Sequence, residues 1–384
     1  MASNLVMPKS SEKTETQTTA AEVEAGALPP ETLQQPFPRI GLLVRPPFAP
    51  MEAKLVGEIP GGGGWLYEPK WDGFRCLVFR KGEQVLMQSK AGQPLGRYFP
   101  ELVEALRKLP VEKFVLDGEI IILEGGRLAF DSLLQRIHPA ESRIRKLAKE
   151  TPSTFLAFDL LVDEKGESLL KLSLAERRAA LEKFFKLLPK SRQVRLSPAS
   201  RERSEAEAWM RRGATAGLEG VIAKDLQMEY ATGERTGMQK IKRIRTADCV
   251  VGGFRYGKSG EIGSLLLGLY NRAGKLDHVG FSSSFTAKAR PKLKKILEPL
   301  MGTPGFTGKA PGGISRWSPV EREWHALKPK LVCEVQYDHF SGDRFRHGTK
   351  FLRWRPDKAP EQCTFEQVAP VRSRGMLAEF GLAA

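Results

Sequence analysis

Cysteine is scarce. The 384 residues hold four, Cys76, Cys249, Cys333 and Cys363, and no Cys-x-x-Cys pair. Such spacing excludes a zinc ribbon and a disulfide framework, and it fits a reducing compartment. Long apolar runs are missing too. None approaches the roughly 18 residues of a membrane-spanning helix, so no membrane role is expected. The N-terminus, MASNLVMPKSSEKTETQ, lacks the basic-then-apolar pattern of a secretory signal, and a cytoplasmic protein is expected. Internal repeats and low-complexity domains are absent. Acidic residues are the minority charge, 45 Asp+Glu against 61 Lys+Arg.

What remains is a basic chain able to build cores. Its hydrophobic fraction of 41% excludes wholesale disorder, and its length suggests two or three domains at roughly 100–200 residues each. The net charge of +16 points to polyanions: nucleic acid, nucleotides or an acidic membrane surface. It is unevenly spread. Residues 1–38 carry Lys9 and Lys13 against five glutamates, a balance of −3. Residues 247–384 hold 22 Lys+Arg against 13 Asp+Glu, or +9, which leaves +10 for residues 39–246. A disordered tail over 1–38 is expected, followed by two basic domains, 39–246 and 247–384.

The first of these reads as α+β with antiparallel hairpins. FRCLVF and QVLMQS flank Lys81-Gly82-Glu83, and KFVLDGEIIIL and RLAF flank Glu124-Gly125-Gly126. STFLAFDLLV and GVIAK are further strand-like runs. Ser173 with Glu176, and Ser204 with Glu207, have capping-box spacing and predict two helix starts. After Thr246 come DCVVGGFRYG, SLLLGLYN, KLDHVGFSS and LVCEVQYDHF, interrupted by one helix candidate, TAKARPKLKKILEPLM. Short strands with one helix suit a Greek-key β-barrel of the OB-fold type. Gly302–Gly313 reads as a surface loop.

The sharpest local feature is Glu68-Pro69-Lys70-Trp71-Asp72-Gly73-Phe74-Arg75, which contains Lys-x-Asp-Gly-x-Arg before a strand. On its own it also reads as a polar turn with Lys70 and Arg75 solvated. Other segments follow in order. They are Ser89-Lys90-Ala91-Gly92, Leu116-Asp117-Gly118-Glu119, Phe158-Asp159, Glu219-Gly220-Val221-Ile222-Ala223-Lys224, Lys240-Ile241-Lys242 and Arg353-Trp354-Arg355-Pro356-Asp357-Lys358. In this order, from about Pro46 to Lys358, the chain resembles the ATP-dependent DNA ligases of the covalent nucleotidyltransferase superfamily. Two departures stand out. Met238-Gln239 precedes the paired lysines where the family often has Trp, and Ser89-Lys90 replaces the usual Ser-Arg. Lysine keeps the charge there but loses the planar fork that suits phosphate.

The resemblance implies a nucleotidyltransferase domain, ATP-grasp-like with antiparallel sheets and flanking helices, followed by an OB-fold domain. It implies ATP and Mg²⁺ (or Mn²⁺), a lysyl-AMP, a DNA-adenylate and a sealed 3′-OH/5′-phosphate break. Lys70 becomes the nucleophile, with Lys224 and Lys240 as rivals. An ordinary lysine pKa of about 10.4 leaves few neutral amines at pH 7. Lys240, Lys242 and Arg75 are the cations expected to lower it. Lys240 and Lys242 alternate on one strand face and would contact the α-phosphate; a solvated face is the other reading. Asp72 joins the catalytic set, and Glu68 and Arg75 the nucleotide-binding set. Lys90 would grip the DNA 5′-phosphate. Glu119 would sit near the ribose or a metal and Glu219 at the metal, or either would pair with a lysine. Phe158 would stack on adenine or simply pack in a core. Arg355, Asp357 and Lys358 would orient the β- and γ-phosphates before the OB domain swings about a hinge at Arg245-Thr246-Ala247.

Within the superfamily, a capping guanylyltransferase and an RNA ligase are the alternatives; outside it, a non-catalytic OB-type binding protein. An NAD-dependent ligase is disfavoured by the missing zinc-finger cysteines and the short chain. The two-domain plan most resembles bacterial ligases of the C and D types. A monomeric, nucleoid-associated repair or end-joining enzyme on nicked or broken double-stranded DNA is expected. A Ku-like end-binding protein and a separate primase-polymerase are its implied partners.

Overall fold

The computed structural model describes residues 37–286, 288–312, 323–369 and 375–382. The tail expected over 1–38 lies almost wholly outside them. The first half holds two sheets. One runs in the order Gln84–Ser89, Phe74–Lys81, Lys113–Glu124, Ser153–Val162, Val194–Leu196, antiparallel except for its last pair. The other runs Lys54–Val56, Met238–Lys242, Gly220–Asp225, Trp65–Lys70, with only the first pair parallel. Both expected hairpins form, at Gly82 and at Gly125-Gly126.

The runs CLVF and IIIL are continuously apolar, and FLAFDLLV is apolar but for Asp159, because their strands are largely buried on both faces. On one face they pack with Leu102 and Leu106 of helix Pro100–Arg107 and with Leu181 and Phe184 of helix Leu174–Lys186. Ser173 caps the latter helix in a full capping box with Glu176. Ser204 does not behave that way. Helix Arg203–Ala216 starts one residue before it, Glu202 is the N-cap, and no side chain caps the end. The Glu202 carbonyl accepts from Glu205 and Ala206, so Ser204 is already inside the first turn. The helix stops at Gly217, whose φ of +88° favours glycine.

The second half is a six-stranded antiparallel sheet. Its main path is Leu276–Ser282, Ile262–Tyr270, Arg245–Tyr256, Val332–Tyr337, Lys350–Trp354. It curls around its own core, and helix Arg290–Leu297 packs on it, as an OB-type domain does. The expected barrel does not close as a ladder. The two edges meet at a single bridge, Ser282 to Thr349. All four cysteines are free and buried.

The connector also differs from expectation. Arg245, Thr246 and Ala247 are already paired, to Tyr337, Gln336 and Val335. The residues outside the strand ladders are Arg243 and Ile244, and Ile244 is 64% exposed. Beyond the OB-type sheet the chain returns to the first half. Met376, Leu377 and Leu382 are buried with Trp71, Trp209 and Leu218.

Candidate active site

Between the two sheets of the first half lies a cleft of about 360 Å³. Glu68, Lys70, Arg75, Lys90, Glu119, Phe158, Lys240 and Lys242 line it, joined by Lys224. Lys70 ends strand Trp65–Lys70, and the chain then turns through Trp71-Asp72-Gly73 into the next strand. Gly73 is needed there. A Cβ would stand 2.3 Å from the Ile120 carbonyl oxygen and 2.8 Å from Glu119 Cγ. Lys240 and Lys242 face the cleft while Ile241 between them is buried, as alternation along a strand requires.

The charge on Lys70 is held by carboxylates, not loosened by cations. Its amine pairs with Glu219. Burial works against the ammonium, but Glu219, with Glu119 and Asp72, outweighs it and raises the pKa. The cationic neighbours act on Lys240 instead. Burial first, then Lys70, Lys242, Lys90 and Arg235, lower its pKa. Glu219 is opposed by burial but held down to about 2 by Lys70 and Lys242. The Glu119 carboxylate accepts no hydrogen bond among the described residues, and burial pushes its pKa up to about 8 despite Lys70 and Arg75.

At the base of the cleft, Glu68 Oε2 forms an ion pair with Lys224 Nζ at 2.8 Å. Its other oxygen, Oε1, stands 3.7 Å from Arg178 and has no hydrogen-bond partner among the described residues. Lys224 and Arg75 both lie over the Phe158 ring, at 4.4 and 4.8 Å from its centroid. Arg75 is fixed by a two-pronged bond to Asp117, 2.6 Å on each side, and Asp117 also accepts from the Tyr230 hydroxyl at 2.6 Å. Lys90 meets Glu52 at 3.3 Å.

Glu219 is not among the lining residues and meets the cleft through Lys70, and two further groups of predicted residues fall outside it. Asp72 is buried against Arg346 of the second half, which donates to both its oxygens at 2.8 and 2.9 Å. It therefore joins the halves and does not face the cleft. Arg355 and Lys358 turn to Asp248 at 2.9 and 2.7 Å, and Asp357 pairs with Arg355. The OB-type domain presents another surface to the first half. Besides Arg346, it places Asp338 3.6 Å from Lys242. Arg346, Asp248, Tyr230 and Glu52 escaped the sequence reading, because each acts on a partner distant in the chain and outside any local pattern.

No group of three or more His, Cys, Asp or Glu fit to hold a metal occurs among the described residues. Glu219 and Glu119, flanking Lys70, nevertheless suit Mg²⁺. That ion takes one or two carboxylates and completes its shell with water and phosphate oxygens. No described helix is long and apolar enough to cross a membrane.

A lysine at the mouth of a cationic cleft, backed by carboxylates and followed by an OB-type sheet, defines a nucleotidyltransferase acting on nucleic acid. Residues 50–242 match the family described as ATP dependent DNA ligase domain, and residues 258–358 match ATP dependent DNA ligase C terminal region. The chain is 48% identical over 339 residues to DNA ligase C1 of Mycolicibacterium smegmatis, covering 85% of this chain and 95% of that one. It is 42% identical over 348 residues to DNA ligase C of Mycobacterium tuberculosis, with the same coverage. It is 29% identical to the multifunctional non-homologous end joining DNA repair protein LigD of the same species, over 83% of this chain and 40% of that one. The chain belongs to the ATP-dependent DNA ligases.

Proposed function

We propose that the chain seals 3′-OH/5′-phosphate breaks in duplex DNA with Lys70 as the adenylated nucleophile. The supporting observation is the position of Lys70, between Glu219 and Glu119 and in one cleft with Lys240 and Lys242. Adenine would enter beside Phe158, its amino group donating to the unpartnered Glu68 Oε1. Arg75, held by Asp117, would meet the ribose.

The Lys70 amine must first give up its proton and part from Glu219. Its nitrogen then bonds to the α-phosphorus of ATP, and pyrophosphate leaves. A DNA 5′-phosphate oxygen next attacks the same phosphorus; the P–N bond breaks and Lys70 takes back a proton. Finally the 3′-OH attacks the activated 5′-phosphate, loses its proton and expels AMP. Lys240 and Lys242 would steady the α-phosphate in the first two steps. Mg²⁺ (or Mn²⁺), held by Glu219 with Glu119, would neutralise phosphate charge and draw Glu219 away from the amine. Arg355, Asp357 and Lys358 could reach the β- and γ-phosphates only after the OB-type domain turns.

Similarity to ligase C and LigD supports a role in repair or end joining. There a monomer would work with a Ku-like end-binding protein and a separate primase-polymerase, at the bacterial nucleoid. Incubation with α-labelled ATP and Mg²⁺ tests the chemistry. A labelled band is expected that Lys70→Ala abolishes; no label on the wild-type protein would sink the reading, and label from GTP alone would favour a capping enzyme.

A further inference from the structure

The OB-type domain reaches the cleft with a carboxylate that no local pattern announces. Strands Phe340–Ser341 and Arg344–Phe345 form a two-stranded ribbon, with Phe340 opposite Phe345. The pairing runs on where the Arg346 amide donates to the His339 carbonyl at 3.0 Å. Asp338 and His347 come next in that register, and His347 Nδ1 stands 3.2 and 3.1 Å from the two Asp338 oxygens. An ionised carboxylate only accepts, so this ring nitrogen carries a proton. The His339 amide also donates to Asp338 Oδ1, at 2.8 Å. The ribbon is fastened to the sheet in turn, since the Phe345 ring lies 4.9 Å from Tyr337 and 5.1 Å from Phe340. Asp338 therefore stands on a fixed support.

That support aims Asp338 at Lys242, with their charged atoms 3.6 Å apart. Burial opposes the Asp338 charge, but His347 and Lys242 outweigh it and keep its pKa below the usual carboxylate range. The Lys242 and Asp338 side chains are 32% and 33% exposed, so the pair adds little to stability. Its effect is one of direction. A lysine ammonium rides on a flexible four-carbon stem and goes where charge draws it. In the first half Lys242 is drawn to Glu219, whose pKa it helps to hold down. When Glu219 turns to a metal ion, as proposed above, Lys242 loses that hold and keeps Lys240 as a like-charged neighbour. Asp338 then offers the anchor that the first half no longer does.

We propose that Asp338, oriented by His347, is a positioning residue for AMP transfer to DNA: it sets the Lys242 ammonium against the phosphate of Lys70-bound AMP, and it leaves with the OB-type domain during self-adenylation. This rests on the ligase reading above. The orientation seen here is one in which Asp338 and Lys242 meet. Turning the domain to bring Arg355 and Lys358 to ATP carries the ribbon, and Asp338 with it, off Lys242. Lys242 is then free to follow the α-phosphate of ATP in the first step. It is fixed in the second, when a DNA phosphate oxygen must attack in line and small misplacements are costly. Asp338 gains and loses no proton and forms no bond to substrate; it acts through Lys242.

The experiment uses full-length protein, pre-adenylated on Lys70, and a nicked duplex with a 5′-phosphate and a 2′,3′-dideoxy end, so that DNA-adenylate accumulates. Asp338→Asn is expected to slow single-turnover transfer of AMP by on the order of tenfold, the scale of a misplaced cation. Self-adenylation of Lys70 should stay within about twofold, which also shows that the variant is folded. In a Lys242→Ala background, Asp338→Asn should alter transfer by less than about twofold, because the group it positions is gone. Asp338→Glu keeps the charge and should retain most of the transfer rate, and His347→Phe should lose part of it. Unchanged transfer in Asp338→Asn would overturn the proposal. So would a full loss in the Lys242→Ala background, or an equal slowing of self-adenylation, either of which would leave Asp338 a structural role only. Wild-type protein that takes no label from ATP is a distinct result: it would overturn the ligase reading, and this proposal with it.

Discussion

Lys70, as the proposed nucleophile, faces a conflict between its resting state and that task. A nucleophilic amine must be neutral, yet Glu219, Glu119 and Asp72 outweigh burial and raise its pKa. A raised pKa keeps the amine charged throughout the neutral range, and the neutral form gains only as pH climbs. Single-turnover self-adenylation should therefore rise steadily from about pH 6 to about pH 9. Glu219→Gln removes the largest favourable influence on the ammonium, so the rise should begin at lower pH, with a reduced maximum rate if Glu219 is a metal ligand as proposed. A pH profile for Glu219→Gln that keeps its midpoint would show that Glu219 does not hold the proton on Lys70. For stability the sign is opposite. Glu219 is depressed to about 2 from 4.5, so its contribution is present above 4.5 and is lost as pH falls towards 2. The residue types at this site could be read from the chain because Lys-x-Asp-Gly and its companion segments are local. Their electrostatic balance could not, since it depends on the neighbouring strand bringing Glu219, 149 residues away in the chain, beside Lys70.

Elements with a strong local rule were legible, and those fixed by distant packing were not. The hairpins at Gly82 and Gly125-Gly126 and the box at Ser173 obey turn and capping chemistry within a few residues. The start of helix Arg203–Ala216 was misplaced because Ser204 matches the capping spacing while Glu202 holds the geometry. The C-terminal return gave no signal at all. Its helix, Met376–Glu379, has four residues and too little length for a periodicity to show. What holds it is tertiary. Phe380 stacks edge-on to Trp71 at 5.7 Å and to Trp209 at 6.0 Å, and Arg195 donates to the Gly381 carbonyl at 2.7 Å. Because Trp71 follows Lys70 directly, this segment braces the turn that leaves Lys70. Phe380→Ala should cost about 1–3 kcal/mol in denaturant unfolding. With Trp209→Ala in a double-mutant cycle it should show coupling of about 0.5–1.5 kcal/mol. Zero coupling would mean the tail is not docked in solution.

At the scale of the molecule, charges of +10 and +9 sit on two bodies that the chain joins through Arg243 and Ile244 and ties again through its C-terminal return. In the orientation seen here, Arg346 grips Asp72 and lies 3.8 Å over the Phe130 ring, and Asp338 approaches Lys242. The segment containing Arg355 and Lys358 is turned inward to Asp248 and away from the cleft. If Arg355 and Lys358 meet ATP as proposed, Arg346 must first leave Asp72, and this contact would then favour the DNA-facing orientation over the ATP-facing one. Arg346→Ala removes that bias. Self-adenylation should be no slower than in the wild type, while sealing of a pre-adenylated nick should fall by about tenfold, the loss of one charge-assisted pair. Slower self-adenylation with normal sealing would reverse the assignment of the orientation. Salt supplies an independent check. If both basic bodies close on a duplex and neutralise on the order of 6–10 phosphates, affinity should drop by about 10³–10⁵ between roughly 50 and 200 mM salt. Arg346→Ala should flatten that dependence, because a body no longer held in the DNA-facing orientation contributes fewer phosphate contacts to it.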